Sequence, residues 1–175
     1  PGVPGTGGEP MEVRWRGSMD YRRDRERFAH FRQEVKVDQP GRELSADELR
    51  VDFDEQMDPE KITATGNAVL EVRRRAEPET GEPKEEGGAV EAKEQGGGGL
   101  SLSSLNEDVT EWRLNADELI GLLAQDQIAA NGPGVLVLLR EDRPNDTVRW
   151  QERMLADFVQ SFARFHGDVD ADFTG

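Results

Sequence analysis

The sequence predicts an all-β chain whose strands bend at fixed points to form an open, two-sheet array. Three observations predict it. Short runs alternate polar and apolar residues with a period of two. Turn residues recur at short intervals between those runs. Two stretches of sequence also return further along the chain, each carrying the same bend signals.

The alternating runs come first. Glu12-Val13-Arg14-Trp15-Arg16, Glu34-Val35-Lys36-Val37-Asp38 and Arg50-Val51-Asp52-Phe53-Asp54 place apolar side chains on one strand face and charges on the other. Residues 68–72 and 135–139 are richer in apolar residues and read as more deeply buried strands. Gln39-Pro40-Gly41, Met57-Asp58-Pro59, Gly66-Asn67, Gly132-Pro133-Gly134 and Arg143-Pro144-Asn145-Asp146 supply turns or bends, at a spacing that suits a sandwich or an open jellyroll. Residues 17–31, 116–125 and 151–165 compete as helices, since Phe28 with Phe31 and Phe162 with Phe165 have helical spacing. Their alternating flanks and the repeat favour strands.

The repeat has two registers. Leu44-Ser45-Ala46-Asp47-Glu48-Leu49 returns as Leu114-Asn115-Ala116-Asp117-Glu118-Leu119, and the segment from Ile62 to Leu70 returns from Ile128 to Leu136. On a longer period, Val13-Arg14-Trp15 returns as Val148-Arg149-Trp150, and residues 27–35 return as 161–169. Leu44 and Ala46 share one face, whereas Leu49, Val51 and Phe53 have the opposite parity. A parity slip therefore falls at Asp47-Glu48 and again at Asp117-Glu118. A second slip is expected at Gly66-Asn67 and Gly132-Pro133, where glycine permits positive φ. Each long strand is thus expected to kink and pass from one sheet to the other.

Composition narrows the function. The chain has 175 residues, of which 34% are hydrophobic and 34% charged, which suits thin layers better than one thick core. Its 37 Asp and Glu against 22 Lys and Arg give a formal charge of −15, which repels nucleic-acid phosphates. There is no cysteine, hence no disulfide or thiolate chemistry, and no apolar run long enough for a membrane-spanning helix. The opening Pro1-Gly2-Val3 lacks the features of a signal peptide, and Thr174-Gly175 falls inside a repeat, so the sequence reads as a piece of a longer protein. Residues 1–10 read as a linker, 11–72 as a first repeat unit and 107–144 as a second, with 145–175 starting a truncated third. Residues 73–106, rich in Gly, Glu, Pro and Ser, read as a long disordered insertion.

Together these motifs resemble the OstA-like (LptA-type) lipopolysaccharide-transport domain. The resemblance rests on Phe165-His166-Gly167-Asp168-Val169, on Leu44 to Leu49 and Leu114 to Leu119, and on Ile62 to Val69 and Ile128 to Val135. It covers about residues 11–72 and 107–175. Gln33-Glu34 stands where the family has Gly-Asn, and Pro133-Gly134 where it has Asn-Ala. The resemblance implies a twisted, V-shaped β-jellyroll of two antiparallel sheets. It also implies a non-catalytic, periplasmic or envelope module without a cofactor. Such a module shields the acyl part of lipopolysaccharide or a similar glycolipid in an apolar groove, and joins other transport modules by β-strand addition. The candidate groove residues are Phe28, Phe31, Val35 and Val37, then Leu49, Val51, Phe53, Ile62 and Leu70, then Leu119, Ile128, Val135, Val137 and Phe165. The same residues also fit a plain core. The second reading is accordingly a structural β-repeat scaffold that assembles through its edge strands and binds no ligand.

Other chemistry is poorly supported. Asp47-Glu48 and Asp117-Glu118 could be glycosidase carboxylates, but repeated acids at a bend are explained as bend residues. His30 and His166 stand out of register and lack the spacing of metal ligands. Gly96 to Gly99 lack the Lys-Ser/Thr of a phosphate loop, and Ser101, Ser103 and Ser104 lack a nucleophile-elbow context.

Overall fold

The computed structural model describes residues 11–73, 99–101, 109–140, 144–157 and 162–173. Its strands are β1 (Glu12–Arg14), β2 (Met19–Arg22), β3 (Phe28–Gln39), β4 (Arg42–Phe53), β5 (Pro59–Arg73), β6 (Gly99–Ser101), β7 (Val109–Leu122), β8 (Gln127–Arg140), β9 (Asp146–Trp150), β10 (Arg153–Asp157), β11 (Phe162–His166) and β12 (Val169–Asp172). A single 3-10 turn, Leu123–Gln125, follows β7. Where they are described, the segments that compete as helices are therefore strands joined by irregular bends at residues 17–18, 23–27 and 151–152, apart from that turn. Of the expected 73–106 insertion, Arg73 ends β5 and residues 99–101 form β6; the rest of it, like the 1–10 linker, lies outside the described residues.

The strands form one open antiparallel sheet in the order β1-β3-β4-β5-β7-β8-β10-β11-β6, with β2 also on β3, β9 on β8 and β12 on β9. Two short strands share one long neighbour in each case. β1 pairs with one end of β3 and β2 with the other, while β9 and β10 divide β8 in the same way. Thus β1/β2, β9/β10 and β11/β12 are each one strand broken at its bend. The sheet folds along this line of bends into a V. The first arm holds β1, the 35–39 part of β3, 42–46 of β4, 68–73 of β5, 109–116 of β7, 134–140 of β8, and then β9 and β12. The second arm holds β2, the opposite ends of the same long strands, β10, β11 and β6.

The bends are β-bulges with a repeated construction. Pairing breaks between Arg32 and Val35, Ser45 and Glu48, Thr65 and Ala68, and Ala116 and Glu118. Two residues on one strand oppose a single acid on the next, which bends the bulged strand. Gln33-Glu34 and Gly66-Asn67 flank Asp47, and Gly66-Asn67 and Gly132-Pro133 flank Asp117. The bulged pairs use left-handed backbone: φ is 75° at Gly66 and 48° at Asn67, and 68° at Gln33 and 48° at Glu34. Gln33-Glu34 therefore adopts the same left-handed conformation as Gly66-Asn67, without the residue types that favour it.

The other departure also has a physical cause. A Cβ on Gly134 would lie 2.2 Å from the Trp150 ring, and that indole donates to the Gly132 carbonyl at 3.0 Å. Trp150, buried in β9, needs a neighbour with no side chain. The equivalent position of the repeat in β5, Ala68, faces Ala116 instead.

Candidate functional site

The inner surface of the V is an apolar trough built by cross-strand rows. On the second arm, Phe31, Leu49, Ala64, Leu119, Ala130, Met154 and Phe165 align across six strand pairings, and every one is buried. On the first arm, the row Val37, Leu44, Leu70, Leu114, Leu136 and Val148 does the same, with Leu44 and Leu70 half-buried. One hydrophobic cluster joins both arms. Trp15 meets Phe31 at 4.8 Å, and Trp150 meets Phe165 at 5.5 Å between ring centroids, so two indoles close the vertex.

Exposure of the second arm grows away from the vertex. Phe53, Ile62 and Ile128 are only partly buried and lie against the cluster, as do Leu44, Leu70 and Trp112 on the first arm. These six form the lips of the trough. Between Ile62 and Ile128 the row is filled by Gly121. A Cβ there would touch only Ile62, at 4.0 Å, which leaves a shallow pit in the lip.

Most of the sequence-derived groove residues come together here. Phe31, Val35, Val37, Leu49, Val51, Leu119 and Phe165 belong to the buried cluster, with Phe53, Ile62, Leu70 and Ile128 beside it. Three do not. Phe28 faces outward: it pairs with Asp52 and Arg22, outside the cluster, and lies under the Arg50 guanidinium at 4.2 Å. Phe28 and Phe31 share a helix face but not a strand face, because three residues separate them.

Val135 and Val137 also face outward, opposite Asn115 and Arg113. The reason lies in the bulge. A two-residue bulge preserves parity along its own strand, so Ile128, Ala130, Leu136 and Leu138 face inward on both sides of Gly132-Pro133. Parity slips only on β4 and β7, where the single acids Asp47 and Asp117 sit. Leu114 and Leu136, absent from the sequence-derived set, were signalled by the repeat itself, which maps Leu44 onto Leu114 and Leu70 onto Leu136.

The outer face carries most of the ion pairs: Arg113 with Glu71 at 2.7 Å, Arg73 with Glu111 at 3.3 Å, Arg50 with Asp52 at 2.8 Å, and Lys36 with Glu43. Arg140 and Asp146, 2.7 Å apart, pair instead at the inner rim of the first arm beside Leu138. His30 is bound on both sides, to Glu48 at 2.9 Å and to Arg32 at 3.0 Å, which is a structural role. Among the described residues no group of three or more His, Asp or Glu side chains could hold a metal ion. Asp47 and Asp117 sit against Gly66 and Gly132 at the bends. Among the described residues no helix is long and apolar enough to cross a membrane.

No protein-family model matches the chain, and no curated protein matches it in sequence. Its fold is that of a solved structure: LptH, the LptA-homologous periplasmic component of the conserved lipopolysaccharide transport device of Pseudomonas aeruginosa. The match has a TM-score of 0.64 at 13% identity, over 95% of this chain and 96% of that one. At this identity the likeness is one of fold: an open, V-shaped β-jellyroll. The neighbour is a transport protein rather than an enzyme.

Proposed function

We propose that this chain is a non-catalytic envelope module that holds the acyl part of a lipopolysaccharide-like glycolipid in its trough and helps to carry it towards the outer membrane. The observation that carries the reading is the graded inner surface: sealed at the vertex and half-exposed at largely apolar lips, with most charges on the outer face and one ion pair, Arg140–Asp146, at the inner rim of the first arm. Acyl chains that enter between the lips leave water, at about 0.8 kcal/mol for each buried methylene. The charged head group stays outside, so selectivity falls on chain volume. The fold shared with a periplasmic lipopolysaccharide-transport component supports both substrate class and compartment.

The module joins its neighbours end to end through its edge strands. Among the described residues four large apolar side chains are exposed: Met19 (45%) and Tyr21 (50%) on β2, with Val169 (38%) and Phe173 (46%) on and just beyond β12. By register Met19, Tyr21 and Val169 belong to the inner face, since Met19 and Tyr21 oppose Phe31 and Ala29, and Val169 opposes Trp150. They extend the trough at its two ends, where a neighbouring module would cover them.

The scaffold reading is favoured by one observation: Leu49, Val51, Leu114 and Val148 are already sealed by the chain's own side chains. Glycolipid uptake by wild type and two variants separates the readings. Under the groove reading Phe53→Asp, at the lip, abolishes capture, while Asp47→Asn, at a bend, leaves it nearly unchanged. Equal uptake by both variants contradicts the groove.

A further inference from the structure

β6 pairs with the outer edge of β11, with Ser101 opposite Phe162, Leu100 opposite Ala163 and Gly99 opposite Arg164. This position is unexpected for its place in the chain. β6 belongs to the connection between β5 and β7, which are neighbours in the sheet and need only a short turn. The β3–β4 connection is such a turn. Instead, the connection adds a strand at the far end of the second arm, beyond β8, β10 and β11. Among the described residues, β1, β2 and β12 carry no such cover.

The two ends of the sheet match each other. β1 and β2 flank Gly17 and run from the first arm to the second; β11 and β12 flank Gly167 and run from the second arm to the first. The β1/β2 edge of a second copy, set beside β12/β11 arm for arm, would therefore be antiparallel to it and would continue the meander. Its Met19 and Tyr21 would extend the inner row that ends in Ala163 and Phe165. With β6 in place, β12 is the part of this end that offers a free edge among the described residues.

We propose that the β11 edge is half of an acceptor surface for the β1/β2 edge of a second copy of this chain, and that β6 is a removable cap upon it. The proposal rests on the end-to-end reading given above. β6 holds the module at half-contact, and its departure lets both arms join. The cap spans three paired positions, so an incoming edge that engages both arms outcompetes it.

Sedimentation of the full chain tests this. In the variant Gly99→Pro/Leu100→Pro, two successive N–H groups are lost, one of which faces β11, which prevents pairing. We expect it to associate at a protein concentration at least tenfold lower than wild type, and Tyr21→Pro in β2 to reverse the gain. Hydrogen exchange at whichever of the adjacent Ala163 and Arg164 directs its N–H towards β6 reads the cap directly: slow in the wild-type monomer, fast in the uncapped monomer, slow again in the oligomer, while the other, directed towards β10, stays slow throughout. Deletion of residues 99–101 gives the same readouts should the prolines disturb folding. Unchanged association without β6, while Tyr21→Pro still weakens association of wild type, overturns the cap and leaves end-to-end joining intact. Indifference of every variant to Tyr21→Pro overturns both.

Discussion

The carboxylate of Asp47 lies against the α-carbon of Gly66, so that a Cβ at position 66 would stand 2.5 Å from Oδ2. The same oxygen accepts a hydrogen bond from Asn67 Nδ2 at 2.9 Å. Asp117 stands against Gly132 in the same way one strand pair further on. Acid and glycine together make the vertex: the glycine supplies the left-handed turn, and the acid occupies the space its missing side chain leaves.

Gly66→Ala should therefore destabilise the fold through both backbone and contact. Left-handed backbone costs a non-glycine residue roughly 1–2 kcal/mol, and the clash adds to that, so about 2 kcal/mol or more is expected. Chemical denaturation measures it. Adding Asp47→Ala removes the carboxylate, the nearest part of the clash, and leaves only the Cβ of residue 47 at 2.9 Å, so the double variant should lose less than the sum of the two single losses.

Gln33 makes the converse case. It holds φ of 68° without being glycine. Gln33→Gly relieves the strain but frees the unfolded chain, so a net gain of about 0.5–1 kcal/mol is expected. An upward shift in the denaturation midpoint with an unchanged slope checks it.

Gly121 separates the lip from the core. A larger side chain there meets open space rather than backbone. Gly121→Leu should keep the stability of the fold within about 1 kcal/mol and yet reduce glycolipid uptake severalfold by filling the pit between Ile62 and Ile128. Thermal denaturation and lipid titration, run side by side, test the two halves of that statement.

Arg140 and Asp146 form the most buried ion pair described, with Nη2 to Oδ2 at 2.7 Å and the side chains 14% and 4% exposed. Asp146→Ala leaves the guanidinium without that partner at the end of β8 and should cost about 3 kcal/mol. The exposed carboxylates behave differently. The hydrogen bond from Arg32 holds Asp20 below its ordinary pKa, and that from Lys36 does the same for Glu43. A lowered folded-state pKa gives stability that is present above the unfolded value and lost as pH falls through the folded one. Both pairs are solvent-screened, so removing either should change the acid limb of the stability–pH profile only slightly.

Much of this was legible in the residues. The alternating runs and repeated acids placed the strands and the bends at Asp47, Gly66, Asp117 and Gly132, because bend chemistry is local. Which face each residue takes was less legible. The run from Val135 to Leu139 is apolar at every position, so alternation could not orient it, and the outcome depended on how many residues the bulge holds. Phe28 is buried, but outside the inner-face cluster, because Arg50 covers it on the outer face, a contact between strands that no local pattern encodes. The place of β6 on β11 was illegible for the same reason: strand addition at an edge leaves little trace in a three-residue sequence.

The central claim is that the trough takes acyl chains. Native mass spectrometry of the protein purified from a Gram-negative envelope extract, with bound lipid identified after release, tests it most directly. The account predicts co-purified lipopolysaccharide or a similar acylated glycolipid, absent from Phe53→Asp. A clean mass for the protein alone, unchanged by added glycolipid, would contradict it and leave a self-filled scaffold.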